Sequence, residues 1–443
     1  MSVATSRRKA PLQRSVCALT PVIGLCLIVL SSPAQGEPPL GLEHALLLAQ
    51  ERSRQLAGYD AAAQASREMA IAAGQRPDPA LKAGINNLPI DGEDRFSLTQ
   101  DFMTMRSAGV MQELTRADKL KARSARFDRE TEAAQAARLA ALTALRRDTA
   151  KAWLDRYFRE RMRAVLAAQR EEASLQIEAA DSAFRSGVGS QADLFAARSA
   201  VAQIDDRLRE ADRQITSARV GLGRWVGESA NRPLDALPDM TTVHLDPQGL
   251  DTQLARHPQL ELIRRQEQVA QAEVEVARTN KRADWSVEFM YNQRGPAFSN
   301  MVSLNFTVPL RLDRSNRQDR ELAAKLATVE QFRAERQEAA RERLAEARDW
   351  LQHWQSNRER LSGFDRALLP LAAERTKAAI AAYRGGSGAL GVVLESRRME
   401  IEIRMERLRL EMETAGLWAR LTFLFPAEYA GSAVNDSAMP AGQ

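Results

Sequence analysis

The sequence predicts a mainly α-helical fold with a small β part and an internal two-fold sequence repeat. Helix is predicted because residues 90–232 contain no proline and are rich in Ala, Leu, Arg, Glu and Gln, which are strong helix formers. Strands are predicted where short segments alternate apolar and polar residues. The repeat is visible in a glycine-containing turn that occurs twice, as FRSGVGSQADLF from Phe184 and as YRGGSGALGVVL from Tyr383.

Residues 1–34 are predicted to be a secretory signal peptide that is cleaved after Ala34. Four basic residues precede an apolar run from Val16 to Leu30, and small residues follow that run. The alternative is a single membrane-spanning anchor, but the run has 15 residues and contains Pro21, whereas a spanning helix needs about 20. Cleavage is the favoured interpretation.

Removal of this segment changes the composition in two ways. Cys17 and Cys26 both lie in it, so the mature chain would have no cysteine, which excludes disulfides, thiol nucleophiles and cysteine metal sites. The segment carries four basic and no acidic residues, so the formal net charge falls from +5 to +1. A nucleic-acid partner is not predicted, since it would need a basic face on the folded domain.

The predicted elements follow one order twice along the chain. The first half has a helix at 42–75, a hairpin at 80–104, a long helix at 107–185, the turn, and a helix at 190–226. The second half has a helix at 249–280, a hairpin at 285–310, a long helix at 314–383, the turn, and a helix at 389–424. The predicted boundaries are therefore a first repeat at 35–228, a connection at 229–248, a second repeat at 249–426 and a disordered tail at 427–443.

The strands are predicted from period-two alternation. In the first hairpin the signals are Leu81, Ala83 and Ile85, and then residues 96–102, where Phe96, Leu98 and Phe102 alternate with polar residues. In the second hairpin they are residues 285–291 and 302–308. One helix irregularity is also expected: Pro370 lies inside the second long helix, and a kink is predicted after Gly363.

The lengths of these elements predict self-association. At 1.5 Å per residue each long helix would be roughly 105 to 120 Å, too long for its apolar stripe to be buried within one chain. Hairpins with one apolar and one polar face suit a membrane β-barrel, and a closed barrel needs at least about eight strands. Four strands per chain are too few, and three chains would supply twelve.

At this point the chain resembles the outer-membrane efflux proteins of the TolC family. The resemblance covers residues 40–426 and rests on several motifs in the right order. These are LGLEHALLLAQERSRQL near the start, ARHPQL at the matching place in the second half, SLTQDF and SLNFTVPL in the predicted strands, and the two glycine turns. The second hairpin and the segment LLPLAAERTKAAIAAYRGG are most similar to the heavy-metal branch of the family.

The resemblance implies a homotrimer with a shared twelve-stranded barrel in the lipid of the outer membrane and a long α-helical barrel in the periplasm. It implies two further partners, a periplasmic adaptor of the membrane fusion type and an inner-membrane pump, expected to be of the RND type. The expected function is a passive duct that exports substrates, heavy-metal cations among the candidates. The alternative is a periplasmic coiled-coil structural or adaptor protein, although an adaptor would carry one helical hairpin where this chain carries two.

In this picture the glycine turns are the periplasmic tips of the duct. The residues expected at the adaptor-docking tips are Phe184, Gly187, Gly189, Leu194, Tyr383, Gly386, Gly388, Val393 and Leu394. Leu194, Val393 and Leu394 are expected to be exposed as the apolar part of that surface. The alternative for the glycines is that they only cap helices.

Two acidic residues are implied at the pore entrance. Asp193 stands where the family has an acidic residue, and Glu395 matches an acidic position at the second tip, while Val392 departs from the family pattern. If Glu395 lines the pore, threefold symmetry would bring three carboxylates together and attract cations. The alternative is that Glu395 is an ordinary solvated helix residue.

No catalytic residue, cofactor or metal site is predicted. The four histidines, His44, His244, His257 and His353, have no ligand spacing, and the glycines of GLGRWVG at 221–227 end a helix instead of opening one. Met103, Met105 and Met111 cluster beside the first hairpin, and thioethers can bind Cu(I). The favoured interpretation of these methionines is that they fill irregular apolar space.

Overall fold

The computed structural model describes residues 38–243 and 245–426. The predicted signal peptide at 1–34, the predicted tail at 427–443 and His244 lie outside the described residues. The helices are α1 (Leu42–Arg52), α2 (Arg54–Ala73), α3 (Ala117–Arg185), α4 (Gln191–Val226), α5 (Leu250–Leu254), α6 (Pro258–Asn280), α7 (Gln318–Gly363), α8 (Leu369–Arg384) and α9 (Leu390–Thr422). The strands are β1 (Ala80–Asn86), β2 (Met105–Leu114), β3 (Trp285–Gln293) and β4 (Met301–Thr307).

The long helix of the first half, α3, has 69 residues, about 104 Å at 1.5 Å per residue, with no proline or glycine inside it. The second long helix is interrupted where the sequence predicts. A π-helical turn, Phe364–Leu368, separates α7 from α8 directly after Gly363, and Pro370 lies in the first turn of α8. A proline has no N–H to donate, so a local change of helix type at this point accommodates the missing hydrogen bond.

The helices that precede each hairpin are divided by short breaks that the sequence analysis missed. Ser53 separates α1 from α2, and its Oγ accepts a hydrogen bond from the amide of Leu56 at 3.3 Å, which starts α2. In the second half, His257 precedes Pro258, the first residue of α6, and α5 is a separate short helix. Both breaks are helix starts with a side-chain cap.

The prediction for the first hairpin is wrong in its second strand. Residues 96–102 form turns, with Phe96 at a φ of 57° and its amide bonded to the carbonyl of Pro89 at 2.8 Å. The strand is Met105–Leu114, which the sequence analysis assigned to the start of the long helix, and α3 begins at Ala117 instead of residue 107. The second hairpin is as predicted.

The four strands form one antiparallel sheet in the order β1–β2–β3–β4, so β2 and β3 join the two halves of the chain. The helices next to the sheet pack in the same order, α2 on α3, α3 on α6, and α6 on α7. The junction is fixed by Asp284, which accepts from the amide of Arg116 at 3.1 Å and pairs with the buried Lys119 ammonium at 2.5 Å. Each half therefore contributes one hairpin and the two helices that flank it.

The largest apolar core lies where α1, the middle of α3 and the ends of α4 and α9 meet. Trp153, Leu154, Phe158, Leu222 and Trp418 are among its buried members. The Trp153 indole Nε1 donates to the carbonyl of Leu40 at 2.9 Å, so the chain that enters α1 is tied to α3. This core holds the two halves together between the sheet at one end of the long helices and the glycine turns at the other.

Candidate functional site

The two glycine turns have the same backbone hydrogen bonds. In the first, the amides of Val188 and Gly189 both donate to the carbonyl of Ala183, at 3.0 and 2.9 Å. In the second, the amides of Ser387 and Gly388 both donate to the carbonyl of Ala382, at 3.0 and 3.1 Å. The duplicated sequence therefore folds as a duplicated turn.

Each turn needs its two glycines for different reasons. Gly187 and Gly386 have φ values of 78° and 73°, in the left-handed region that side chains with a Cβ disfavour. Gly189 packs against the end of the preceding helix, where a Cβ would lie 2.9 Å from that of Ala183. Gly388 meets Ala382 in the same way, at 3.0 Å. The first glycine reverses the chain and the second permits the close approach.

The two turns lie side by side over one apolar cluster. Its buried members are Ala180, Leu194, Ala197, Leu390 and Val393, and Tyr383 and Leu394 pack against it. The expectation that Leu194, Val393 and Leu394 are exposed is therefore wrong: Leu194 and Val393 are 7% and 2% exposed, and Leu394 is half-buried. These side chains point between the helices and hold together the ends of α3 and α8 and the starts of α4 and α9.

The exposed apolar residues at the turns are others. Val188 is 86% exposed, Phe195 54%, Val392 55% and Phe184 43%. Only Phe184 was predicted in this set. The sequence signal for Val188 is its place between two glycines, since a residue at the apex of a tight turn has no helix to pack against.

Asp193 has a local hydrogen-bonding role. Its carboxylate accepts from the amide of Ser190 at 3.2 Å and from the Ser190 hydroxyl at 2.7 Å, and the Ser190 Oγ accepts from the amide of Asp193 at 3.1 Å. This reciprocal arrangement is a capping box at the start of α4. The matching residues of the second turn are Ala389 and Val392, and α9 starts without a side-chain cap. The second turn therefore lacks both residues of the capping box, since Ala389 replaces the serine and Val392 replaces the aspartate.

Glu395 lies in the second turn of α9 and is exposed. Its neighbour two residues on, Arg397, pairs with Glu172 of α3 and so fixes α9 against α3. Glu395 therefore follows the second glycine turn closely, on a helix that this ion pair joins to α3.

The sheet at the opposite end of the long helices has two chemically different faces. Its register aligns Leu81, Val110, Phe289 and Leu304 in one row across all four strands. Each of these four side chains is exposed, from 46% for Val110 to 81% for Leu81. The same face carries Ala83, Ile85, Ala108, Val287, Tyr291, Val302 and Phe306. Three polar residues, Arg106, Gln112 and Gln293, lie toward the strand ends of this face, so its middle is a continuous apolar surface.

The other face of the sheet is polar and internally hydrogen-bonded. Asn86 donates to the Ser107 hydroxyl at 2.7 Å, Ser107 donates to Asn292 at 2.6 Å, and Asn292 donates to the Ser303 hydroxyl at 2.9 Å. One side chain from each strand is thereby linked across the whole sheet. Lys82 and Glu288 form an ion pair over the same face at 2.5 Å.

Several solved structures have a similar fold. The structure of CusC, described with its transmembrane channel formation, is 15% identical and covers 87% of this chain and 92% of its own, with a TM-score of 0.74. The outer membrane protein VceC from Vibrio cholerae is 18% identical over 86% of this chain and 95% of its own, with a TM-score of 0.72. The CmeC outer membrane channel from Campylobacter jejuni is 12% identical over 89% and 88%, with a TM-score of 0.73.

The chain has the TolC-like fold of these outer-membrane channels. The predicted fold class, long helices with a small β part, is confirmed by this likeness and by the four-stranded sheet. No family model and no curated protein matches the sequence.

Two further findings concern the described residues. None of their helices is long and apolar enough to cross a membrane. In residues 38–243 and 245–426, no three His, Cys, Asp or Glu side chains are grouped so that they could hold a metal ion.

Proposed function

We propose that this chain is the outer-membrane duct of a tripartite efflux system. Three copies would assemble so that their sheets form one twelve-stranded barrel and their long helices one periplasmic tube. Transport through it would be passive, with energy supplied by an inner-membrane pump of the RND type and delivered through a periplasmic adaptor. The two repeats at 35–228 and 249–426, with their connection at 229–248, would be the structural halves of each subunit.

The observation that carries this proposal is the pair of faces of the four-stranded sheet. A continuous exposed apolar row, from Leu81 to Leu304, suits lipid, and the hydrogen-bonded polar face suits water. The outer edges of β1 and β4 have no strand partner among the described residues, and unpaired backbone groups are costly in lipid. Pairing of β4 with β1 of the next copy would satisfy both edges.

The glycine turns support the periplasmic end of the proposal. The tips carry four exposed apolar side chains, Val188, Phe195, Val392 and Phe184, which would form the surface where an adaptor docks. Gly187, Gly189, Gly386 and Gly388 would serve that surface by setting the turn geometry. Asp193 and Glu395 remain the proposed entrance carboxylates, with Asp193 also capping α4.

The first test is the mass of the purified chain in detergent by light scattering, followed by its conductance in planar bilayers. A trimer that forms discrete channels is the expected result. A soluble, non-conducting monomer or dimer would contradict the duct and favour the periplasmic coiled-coil protein.

A matched pair of variants tests the assignment of the two faces. Leu304 and Asn305 are adjacent on β4, are both exposed and point to opposite faces. Leu304→Arg should reduce the amount of channel in the membrane severely, because an Arg facing lipid costs about 2–4 kcal/mol at the bilayer midplane. Asn305→Arg should insert normally and change ion selectivity. Equal insertion of the two variants would contradict the assignment.

A further inference from the structure

The methionines of the four strands all lie on the polar face of the sheet. The register places Met105 and Met111 of β2, Met290 of β3 and Met301 of β4 on the face that carries Ser107, Asn292 and Ser303. The apolar face has Leu, Ile, Val, Phe, Tyr and Trp but no methionine. On the polar face, by contrast, no Leu, Ile, Val or Phe occurs in these strands.

This separation argues against space filling. A residue that only filled apolar space would belong on the apolar face, where Leu and Val serve the same purpose. On a polar face the property that sets methionine apart from leucine is its thioether sulfur. The thioether sulfur is therefore the property on which a role for these methionines would rest.

Three of the four methionines are diagonal neighbours. Met111 is opposite Glu288, so Met290, two residues further along β3, is its diagonal partner. Met301 is opposite Asn292, so Met290 is also its diagonal partner. Diagonal neighbours on one face of an antiparallel sheet are about 7–8 Å apart, within reach of long side chains.

Gly109 makes room for the central methionine. It lies opposite Met290 on β2, and a Cβ at this position would overlap the Met290 sulfur and the Phe289 carbonyl oxygen. The absence of a side chain at Gly109 lets the Met290 thioether lie over β2. Glycine inside a strand marks such a close approach.

Two of the polar side chains beside these sulfurs are held by other side chains of the same face. Glu288 is bound to the Lys82 ammonium, and Asn292 accepts from Ser107 and donates to Ser303. A hard cation such as Mg²⁺ or Ca²⁺ needs several carboxylate or carbonyl oxygens, which this face does not offer around the sulfurs. No three His, Cys, Asp or Glu side chains are grouped here or elsewhere in the described residues, so the thioethers are the soft donors that this face offers to a metal ion.

We propose that Met111, Met290 and Met301 form a weak binding row for soft monovalent metal cations, Cu(I) or Ag(I), on the water-facing side of the sheet. Thioethers are soft ligands that select such ions. The inference rests on the proposed function, because only in a duct does this face line a path for cargo, and it narrows the cargo to soft cations. Weak, repeated sites suit passage, since a conducted ion must also leave.

The test uses the full mature chain in detergent and silver nitrate in chloride-free buffer, with binding measured by calorimetry. Met111→Leu, Met290→Leu and Met301→Leu are combined, since Leu for Met conserves volume and removes only the sulfur. The control combines Met69→Leu, Met399→Leu and Met412→Leu, which lie on helices. We expect at least a tenfold loss of Ag(I) affinity in the strand variant and no loss in the control variant.

A second measurement locates the ion directly. With the methionine methyl groups labelled with ¹³C, Ag(I) should shift the methyl resonances of Met111, Met290 and Met301 before those of the helical methionines. Equal Ag(I) affinity in the strand variant and the wild type, or first shifts at helical methionines, would overturn the proposal.

Channel conductance of the wild type separates the two proposals. A conducting trimer whose strand variant binds Ag(I) as well as the wild type would keep the duct and remove the soft-metal row. A wild type that binds Ag(I) through these residues but does not conduct would keep the binding row and remove the duct. Light scattering of the strand variant in detergent checks that it assembles as the wild type does.

Discussion

His257 begins α6 by accepting a hydrogen bond from the amide of Gln259 at its Nδ1, at 3.2 Å. Only an unprotonated Nδ1 can accept, so the cap requires a neutral imidazole. Burial, together with the charges of Arg343 and Arg147, lowers the pKa of His257 to about 4. The environment thus keeps the ring in the form that the helix start needs.

This residue should make stability depend on pH. The folded pKa of His257 lies below its ordinary value of 6.5, so the unfolded chain binds the proton more readily. The stabilisation is complete above pH 6.5 and is lost as the pH falls toward 4, by up to about 3 kcal/mol. His257→Asn keeps a capping acceptor without this titration. Its thermal midpoint should therefore fall less than that of the wild type between pH 7.5 and 4.5, and parallel falls would contradict this account.

The capping box of the first turn gives a second prediction at this scale. Ser190→Ala removes both hydroxyl bonds at the start of α4, and loss of such a cap costs about 1 kcal/mol. Amide hydrogen exchange at residues 192–194 should become about fivefold faster. The converse change, Ala389→Ser with Val392→Asp, should slow exchange at the start of α9. Unchanged exchange in both variants would mean that packing alone fixes these helix starts.

At the scale of elements, the second glycine of each turn is predicted not to tolerate a side chain. Gly189→Ala and Gly388→Ala would place a Cβ about 3 Å from Ala183 and Ala382, so the helix end must shift. Gly391→Ala is the matched control, since Gly391 lies in α9 with open space around its Cα. The control should be stabilised by up to about 1 kcal/mol and the turn variants destabilised. Limited proteolysis at the turns measures this, and equal cleavage of turn and control variants would contradict it.

The elements also show where sequence patterns suffice. The long helices, the second hairpin and the repeated turn were predictable because a run without proline, a clean alternation and a glycine pair are local signals. Strand β2 was missed because both of its faces are mixed: Met105, Gly109 and Met111 lie on the polar face, and Arg106 and Gln112 lie on the apolar face. The apolar residues at 96–102 imitate the alternation of a strand, but they lie in a turn region. Strand β2 is recognised only from its pairing with β1 and β3, and the segment 96–102 is excluded as a strand only from its backbone conformation.

The apolar residues at the glycine turns also show what the sequence pattern does not predict. The sequence identifies Leu194 and Val393 as apolar, but it does not say that both point between the helices. Val188 is exposed because it is at the apex of a tight turn, which is a local signal, but the exposure of Val392 beside the buried Val393 is visible only once the helices are packed. The fold class and the location of the turns were thus predictable, whereas the surface that they present depends on long-range packing.

At the scale of the whole molecule, the open edges of the sheet and of the helix layer coincide. β1 and α2 lie at one side, and β4 and α7 at the other, because strands and helices share one order. Exposed apolar residues occur on both edge helices, Met69 and Ile71 on α2 and Leu326 on α7. One contact between copies could therefore complete the sheet and cover these helix faces together.

In the proposed trimer, the Glu395 carboxylates of the three copies would form a ring. In a trimer each Glu395 would be repeated three times at the tip, and clustered like charges raise the local concentration of cations. Glu395→Gln should lower the cation-to-anion permeability ratio by about twofold or more, measured as the reversal potential of single channels in a salt gradient. Glu338→Gln, in the middle of α7, is the control because it removes an equal charge far from the turns. If both variants keep the wild-type ratio, Glu395 is an ordinary solvated residue of α9; if both lower it equally, the selectivity belongs to the net charge of the tube and not to its entrance.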